Sequence, residues 1–140
     1  MFNIAPEVVS IAEACLGDLQ GRSALLIGPK EQRYQYMQLL RRAHMKCIYQ
    51  EDDATRVPVL IPHIQLLINL PAQTTDGYPS TFIKAADIAR GCEGRRTPLL
   101  IFDLAPSTSV EELAGLLPAV CLYTPDDISR ILTKIEMKAS

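Results

Sequence analysis

Apolar residues return along this chain in two rhythms, and the alternation between them sets the architecture. After Pro6, the residues Val8, Ile11, Ala12, Cys15, Leu16 and Leu19 recur at intervals of three and four, the period of an amphipathic helix, and Gly17 marks its end. Residues 23–28, Ser-Ala-Leu-Leu-Ile-Gly, form an apolar run closed by glycine, which reads as a strand buried on both faces. Residues 31–44 resume the helical period, with Tyr36, Met37, Leu40 and Ala43 inward and Arg33, Arg41 and Arg42 outward. A second strand is expected over 46–50, running into the acidic cluster Glu51, Asp52 and Asp53.

The pattern then loosens. Residues 57–61 fit a short strand or an extended connector, 65–70 a strand bounded by Pro71, and 71–80 a loop. A modest helix over 82–90 closes on Gly91, and Gly94, Arg95 and Arg96 begin a basic turn. Residues 99–103, Leu-Leu-Ile-Phe-Asp, repeat the style of the first strand. Ser109 and Glu112 have the spacing of a capping box, opening a short helix that stops near Gly115 and Pro118. A last strand covers 120–123. Thr124, Pro125 and Asp127 then supply an N-cap, a first-turn proline and an acidic third position for a final helix with the stripe Ile128, Ile131, Leu132 and Ile135.

The order β-α-β-β-α-β-α-β-α predicts an α/β protein whose mostly parallel sheet is covered by helices on both faces. Ligands in such sheets sit beyond the carboxyl ends of the strands. That directs attention to Gly28, to 50–53, to 69–74 and to 103–107.

Composition narrows the classes. The chain has 140 residues, 48% of them hydrophobic, enough for the buried core of one domain: an entry helix over 1–20, an α/β core over 22–123 and a C-terminal helix over 124–140. Fourteen basic against 16 acidic side chains leave a net charge of −2, which gives no electrostatic footprint for DNA. The longest apolar runs are broken by Pro62 and His63, far short of a membrane span, and residues 1–16 carry Glu7 and Glu13 with no basic stretch of a secretory signal. A cytoplasmic location is the expectation. Cys15, Cys47, Cys92 and Cys121 are scattered without a CxxC pair, and His44 and His63 stand alone, so no metal site is expected and the thiols are read as reduced, three of them in apolar settings.

The turn after the first strand resembles a nucleotide cradle with parts missing. A dinucleotide turn needs one small residue for tight turning, one for close backbone approach to pyrophosphate, and one for helix-on-strand packing. In Gly28-Pro29-Lys30-Glu31-Gln32-Arg33 only the first is glycine; Lys30 stands where phosphate meets bare backbone and Arg33 at the packing position. The helix N-terminus, with Lys30 and Arg33, still offers an anion a loose site. At the end of the second strand Glu51 suits the ribose of NAD, and the cluster with Asp52 and Asp53 would repel the extra phosphate of NADP.

Two stretches carry a family resemblance. Residues 17–28, Gly-Asp-Leu-Gln-Gly-Arg-Ser-Ala-Leu-Leu-Ile-Gly, resemble the entry to the NADPH-binding Rossmann domain of glutamyl-tRNA reductase. Residues 98–105 followed by Leu117-Pro118-Ala119-Val120-Cys121-Leu122-Tyr123-Thr124-Pro125-Asp126-Asp127-Ile128 resemble the later strands of that domain in order and spacing. The resemblance implies a Rossmann-like, doubly wound, three-layer α/β/α fold. It covers the middle domain of that enzyme, without the domain bearing its catalytic cysteine or the helical domain that makes its dimer. No catalytic residue is therefore carried over. The implied cofactor-binding positions are Gly28, Pro29, Lys30, Glu31, Arg33, Glu51, Asn69 and Asp103, and the helix after the second strand is read as shortened almost to nothing.

Every departure falls on the nucleotide site while the packing segments remain. The expectation is a stand-alone domain with a degraded dinucleotide site, a non-catalytic binding or regulatory protein linked to tetrapyrrole synthesis. The alternative is an oxidoreductase component, of glutamyl-tRNA reductase or precorrin-2 dehydrogenase type, that binds NAD or NADP and works with a partner chain. In that case Asp103 is the best acid/base candidate, against a loop-fixing role for the same residue. A protein partner, or a homodimer through the C-terminal helix, is the expected assembly.

Overall fold

Strand β1 (Ser23–Ile27) is buried at all five positions, so it requires cover on both faces. The computed structural model describes residues 4–70, 83–104 and 110–139, with side chains described as far as residue 134. Within it β1 lies inside a five-stranded, wholly parallel sheet of order β2-β1-β3-β4-β5, with β2 (Cys47–Glu51), β3 (Leu66–Asn69), β4 (Leu99–Asp103) and β5 (Val120–Tyr123). Helices α1 (Ala5–Leu16), α2 (Lys30–Arg42) and α5 (Pro125–Ala139) pack over Ala24, Leu26, Ile68 and Phe102 on one face. The opposite face, with Leu25, Ile27, Leu67 and Ile101, is covered by α3 (Val57–Leu60), the 3-10 turns Ile61–His63 and Glu112–Leu116, and α4 (Ala85–Gly91). The result is a three-layer α/β/α, Rossmann-like fold.

Local chemistry sets the boundaries. Helix α1 stops at Gly17, φ +85°, and the Arg22 guanidinium donates to the carbonyls of Leu16 and Asp18, satisfying part of the open helix end. Thr124 and Asp127 exchange backbone-to-side-chain hydrogen bonds of 3.0 and 3.2 Å, the reciprocal cap anticipated for α5. Two residues of its stripe meet the sheet: Ile128 is buried and Leu132 packs on the same core. The guanidinium of Arg95, in the basic turn, donates to the carbonyls of Ile61, Ile64 and Thr97 and ties α3 to the entry of β4.

Some expectations fail here. Residues 57–61 form no strand: Val57, Leu60, Ile61 and Ile64 are buried at helical spacing while Val59 is exposed, and Pro58 sits in the first turn, where its missing N–H costs nothing. The helix after β2, read as shortened almost to nothing, is present as the four residues of α3 and its 3-10 continuation. The segment after Val110 is a 3-10 turn with no side-chain cap; Ser109, the loop 71–80 and Phe82 lie outside the described residues. Cys15 and Cys121 are exposed rather than set in apolar surroundings. Among the described residues no helix is long and apolar enough to cross a membrane.

Candidate functional site

The chain leaves β1 in one direction to reach β2 and returns past it to β3, so the carboxyl ends of β1 and β3 flank the point where strand order reverses. Ligands of open α/β sheets occupy this place. Gly28, directly after β1, has φ +135°, open to glycine alone at no cost. A Cβ built on it would lie 2.8 Å from Leu70 Cβ and 3.2 Å from the Leu70 carbonyl oxygen. Its N–H bonds to the Glu51 carbonyl at 3.0 Å, and the Leu70 N–H bonds to Ile27 at 2.8 Å. Packing between protein segments thus accounts for this glycine, and Leu70, absent from the expected site, is what fills the space.

Pro29 caps α2 with backbone only, its carbonyl accepting the Arg33 N–H at 3.0 Å. Lys30 and Glu31 are exposed in the first turn. They do not point the same way as Arg33. With Tyr34, Met37, Gln38, Arg41 and Gln50 they line a cavity of about 600 Å³ along the outer side of α2 and β2. Tyr34, Met37, Gln38 and Arg41 are not among the site residues expected from the sequence, although Glu31, Tyr34, Gln38 and Arg41 recur at three and four along one helix face.

Arg33, expected to face outward, is buried at 8% exposure. Its Nη2 donates to Asp52 Oδ1 at 2.9 Å across the ends of α2 and β2, and its Nε has no partner among the described residues. The acidic cluster is equally engaged. Glu51 Oε1 accepts from Arg56 Nη1 at 2.9 Å, and hydrogen bonds from the Thr55 side chain and then its N–H hold the Asp53 carboxyl below the usual range. Two of the three carboxylates are thus paired with this chain's own arginines, which weakens the repulsion expected of them.

Asn69 and Asp103 end β3 and β4 side by side, both nearly inaccessible, and Asn69 Nδ2 donates to Asp103 Oδ1 at 3.3 Å. Asp103 Oδ2 accepts the Val110 N–H at 3.0 Å, so both oxygens hold structure and neither is presented to solvent. Asn69 Oδ1 is buried without a hydrogen-bond partner among the described residues. The eight anticipated positions therefore divide into a filled turn at Gly28 and Pro29, two ion pairs at Arg33 and Glu51, a buried pair at Asn69 and Asp103, and an open cavity at Lys30 and Glu31. Among the described residues no three His, Cys, Asp or Glu side chains gather in a way that could hold a metal.

The chain is similar to known proteins over most of its own length. No protein-family profile matches it. It is 29% identical to the glutamyl-tRNA reductase of Methanospirillum hungatei over 92% of this chain and 35% of that protein, and 28% identical to the one of Methanoregula boonei over the same shares. This chain spans about a third of the length of these relatives. Among solved structures, glutamyl-tRNA reductase from Methanopyrus kandleri superposes with a TM-score of 0.75 at 18% identity, over 96% of this chain and 37% of that one. A dipicolinate synthase chain from Bacillus halodurans shares the fold at a TM-score of 0.65 and 11% identity, over 96% and 52%.

Proposed function

We propose that this chain is a glutamyl-tRNA-reductase-type Rossmann domain whose dinucleotide site is occupied by its own side chains, and that it serves as a binding or regulatory component of tetrapyrrole synthesis without reductase activity of its own. The observation that carries this is the Arg33–Asp52 ion pair. Arg33 holds the third small-residue position of the cradle, where helix must close on strand, and Asp52 directly follows the strand end whose acidic group would meet a ribose. One bond of 2.9 Å joins these two positions.

Three further features support it. The Cβ space at Gly28 is taken by Leu70, so the retained glycine answers to packing. Lys30 puts a side chain where pyrophosphate needs bare backbone. Among the described residues the sheet ends at β2, whereas dinucleotide-binding sheets of order 3-2-1-4-5-6 carry another strand outside it. The residues present do not fit an ordinary dinucleotide cradle, and no chemical step is assigned through one. The similarity to glutamyl-tRNA reductases supports the link to tetrapyrrole synthesis.

Isothermal titration with NADPH and with NADH tests the proposal. No saturable heat is expected from either. Micromolar binding of NADPH would overturn it, and micromolar binding of NADH alone would favour an NAD-dependent oxidoreductase component.

A further inference from the structure

We infer that the chain forms a symmetric dimer by pairing β2 antiparallel with β2 of a second copy, joining two five-stranded sheets across a two-fold axis at Tyr49. The surface used is that of α2 and β2 rather than α5, whose Ile128 and Leu132 pack on the chain's own sheet.

Among the described residues strand β2 is an edge, hydrogen-bonded to β1 alone. The Gly28 N–H bonds to the Glu51 carbonyl, so the Glu51 backbone faces β1; by the alternation of the pleat the backbone groups of Ile48 and Gln50 face out of the sheet. Monomers blunt such edges with proline, charge or a bulge. Residues 47–50 are Cys-Ile-Tyr-Gln, and the one charged residue of the strand, Glu51, stands at its end with its carbonyl toward β1. Setting Ile48 opposite Gln50 of the second copy, twice by symmetry, gives every outward N–H and C=O of these two residues a partner. The same register brings Lys46 and Asp52 of the two copies near each other just outside the strand ends, where both side chains are exposed and Asp52 also holds Arg33. Opposite charges across a ladder favour that register over its neighbours.

Helix α2 repeats the symmetry. It leans on β1 and β2 alike and so runs above the gap between them. With strands about 4.8 Å apart, two such helices flanking a β2–β2 seam lie about 10 Å from each other, an ordinary helix-packing distance. The helix spans Lys30–Arg42, centred on Tyr36, and runs beside Cys47–Glu51, centred on Tyr49, so one axis serves both elements. Around it Glu31 meets Arg41 of the second copy, beside Tyr34 and Gln38, which are joined within each chain by a bond of 2.9 Å from Gln38 Nε2 to the Tyr34 hydroxyl. These four exposed residues line the cavity that opens beside Gln50, and Tyr34 stands 62% exposed there. A two-fold interface requires a surface complementary to itself. Here the strand and the helix satisfy that condition separately, with Lys46 against Asp52 and Glu31 against Arg41.

Sedimentation equilibrium of the 140-residue chain, from micromolar to hundreds of micromolar, tests the assembly. The expected species has twice the 15.5 kDa chain mass. Glu31→Arg and Arg41→Glu, each alone, bring like charges together and weaken the dimer by about tenfold, and the double variant restores it. Gln50→Pro removes an outward N–H at an edge position that tolerates proline, so it dissociates the dimer while the circular-dichroism melt stays in place. A chain that remains monomeric throughout, or a dimer indifferent to both the charge reversals and the proline, would overturn the assignment. The charge reversals sit on the exposed face of α2 and keep the test decisive if the proline variant does not fold.

Discussion

Asn69 and Asp103, register partners at the carboxyl ends of β3 and β4, are joined side chain to side chain inside the protein. From Asp103 the connection continues through the Val110 N–H. Next to it the Glu111 N–H bonds to the Ile83 carbonyl, and Glu111 Oε1 accepts the Ala85 N–H at the start of α4. Asp103→Asn replaces one acceptor oxygen with a donor facing either the Val110 N–H or the Asn69 amide. A loss of about 1–3 kcal/mol is expected, read from urea unfolding. Native-state exchange should become faster at the Val110 and Glu111 amides before it does in β1. An unchanged urea midpoint would show that the Asp103 carboxylate does not hold this connection.

The strands are legible in the sequence because a parallel sheet covered on both faces demands continuous apolar runs, and 23–27 and 99–103 are such runs. Helix α3 is hidden because Val57, Pro58 and Val59 favour extended backbone when taken locally; the burial of positions 57, 60, 61 and 64 outweighs that preference. Two residues of the site are out of reach of any local pattern. An arginine is buried only when a partner meets it, and the partner of Arg33, Asp52, lies 19 residues away on another element. Leu70 fills the space at Gly28 through a contact between two strand ends, which no pattern in either segment encodes.

The Arg33–Asp52 pair is unequal: the arginine side chain is 10% exposed and the aspartate 87%. Removing the two partners should therefore have different consequences. Asp52→Ala strands a buried guanidinium that already has one nitrogen without a partner among the described residues, and a loss of about 1–2 kcal/mol is expected after allowance for solvent around Asp52. Arg33→Met leaves a solvated carboxylate and fills the same space with apolar atoms, so stability should stay level or rise. Thermal melts of both variants check the asymmetry. Equal losses would mean that the pair acts as a surface contact.

Gly28→Ala should be among the most damaging single changes in the sheet. It combines a backbone at φ +135° with a Cβ held 2.8 Å from Leu70 Cβ, and a loss of at least about 2 kcal/mol is expected. Because the contact is to the Cβ and carbonyl of Leu70 rather than to the end of its side chain, Leu70→Ala in the same chain should not restore stability. Urea unfolding of the single and double variants measures both effects. Rescue by the double variant would place the strain in the leucine side chain.

Alkaline pH should unfold the protein through Tyr36. This tyrosine, on the inward face of α2, is 5% exposed, and burial, with the nearby Glu7 carboxylate adding to it, pushes its phenol well above the usual value of 10.0. The native state then holds a proton that the unfolded chain releases. The resulting stabilisation is complete below pH 10 and declines as pH rises past it, by about 1.4 kcal/mol per pH unit for this one group. Tyr36→Phe removes the proton and keeps the ring, so its urea midpoint should fall less steeply above pH 10 than that of the unmodified chain. The comparison of the two slopes isolates Tyr36 from the other groups that titrate in the same range. Parallel slopes would show that Tyr36 ionises in the native state as readily as in the unfolded chain.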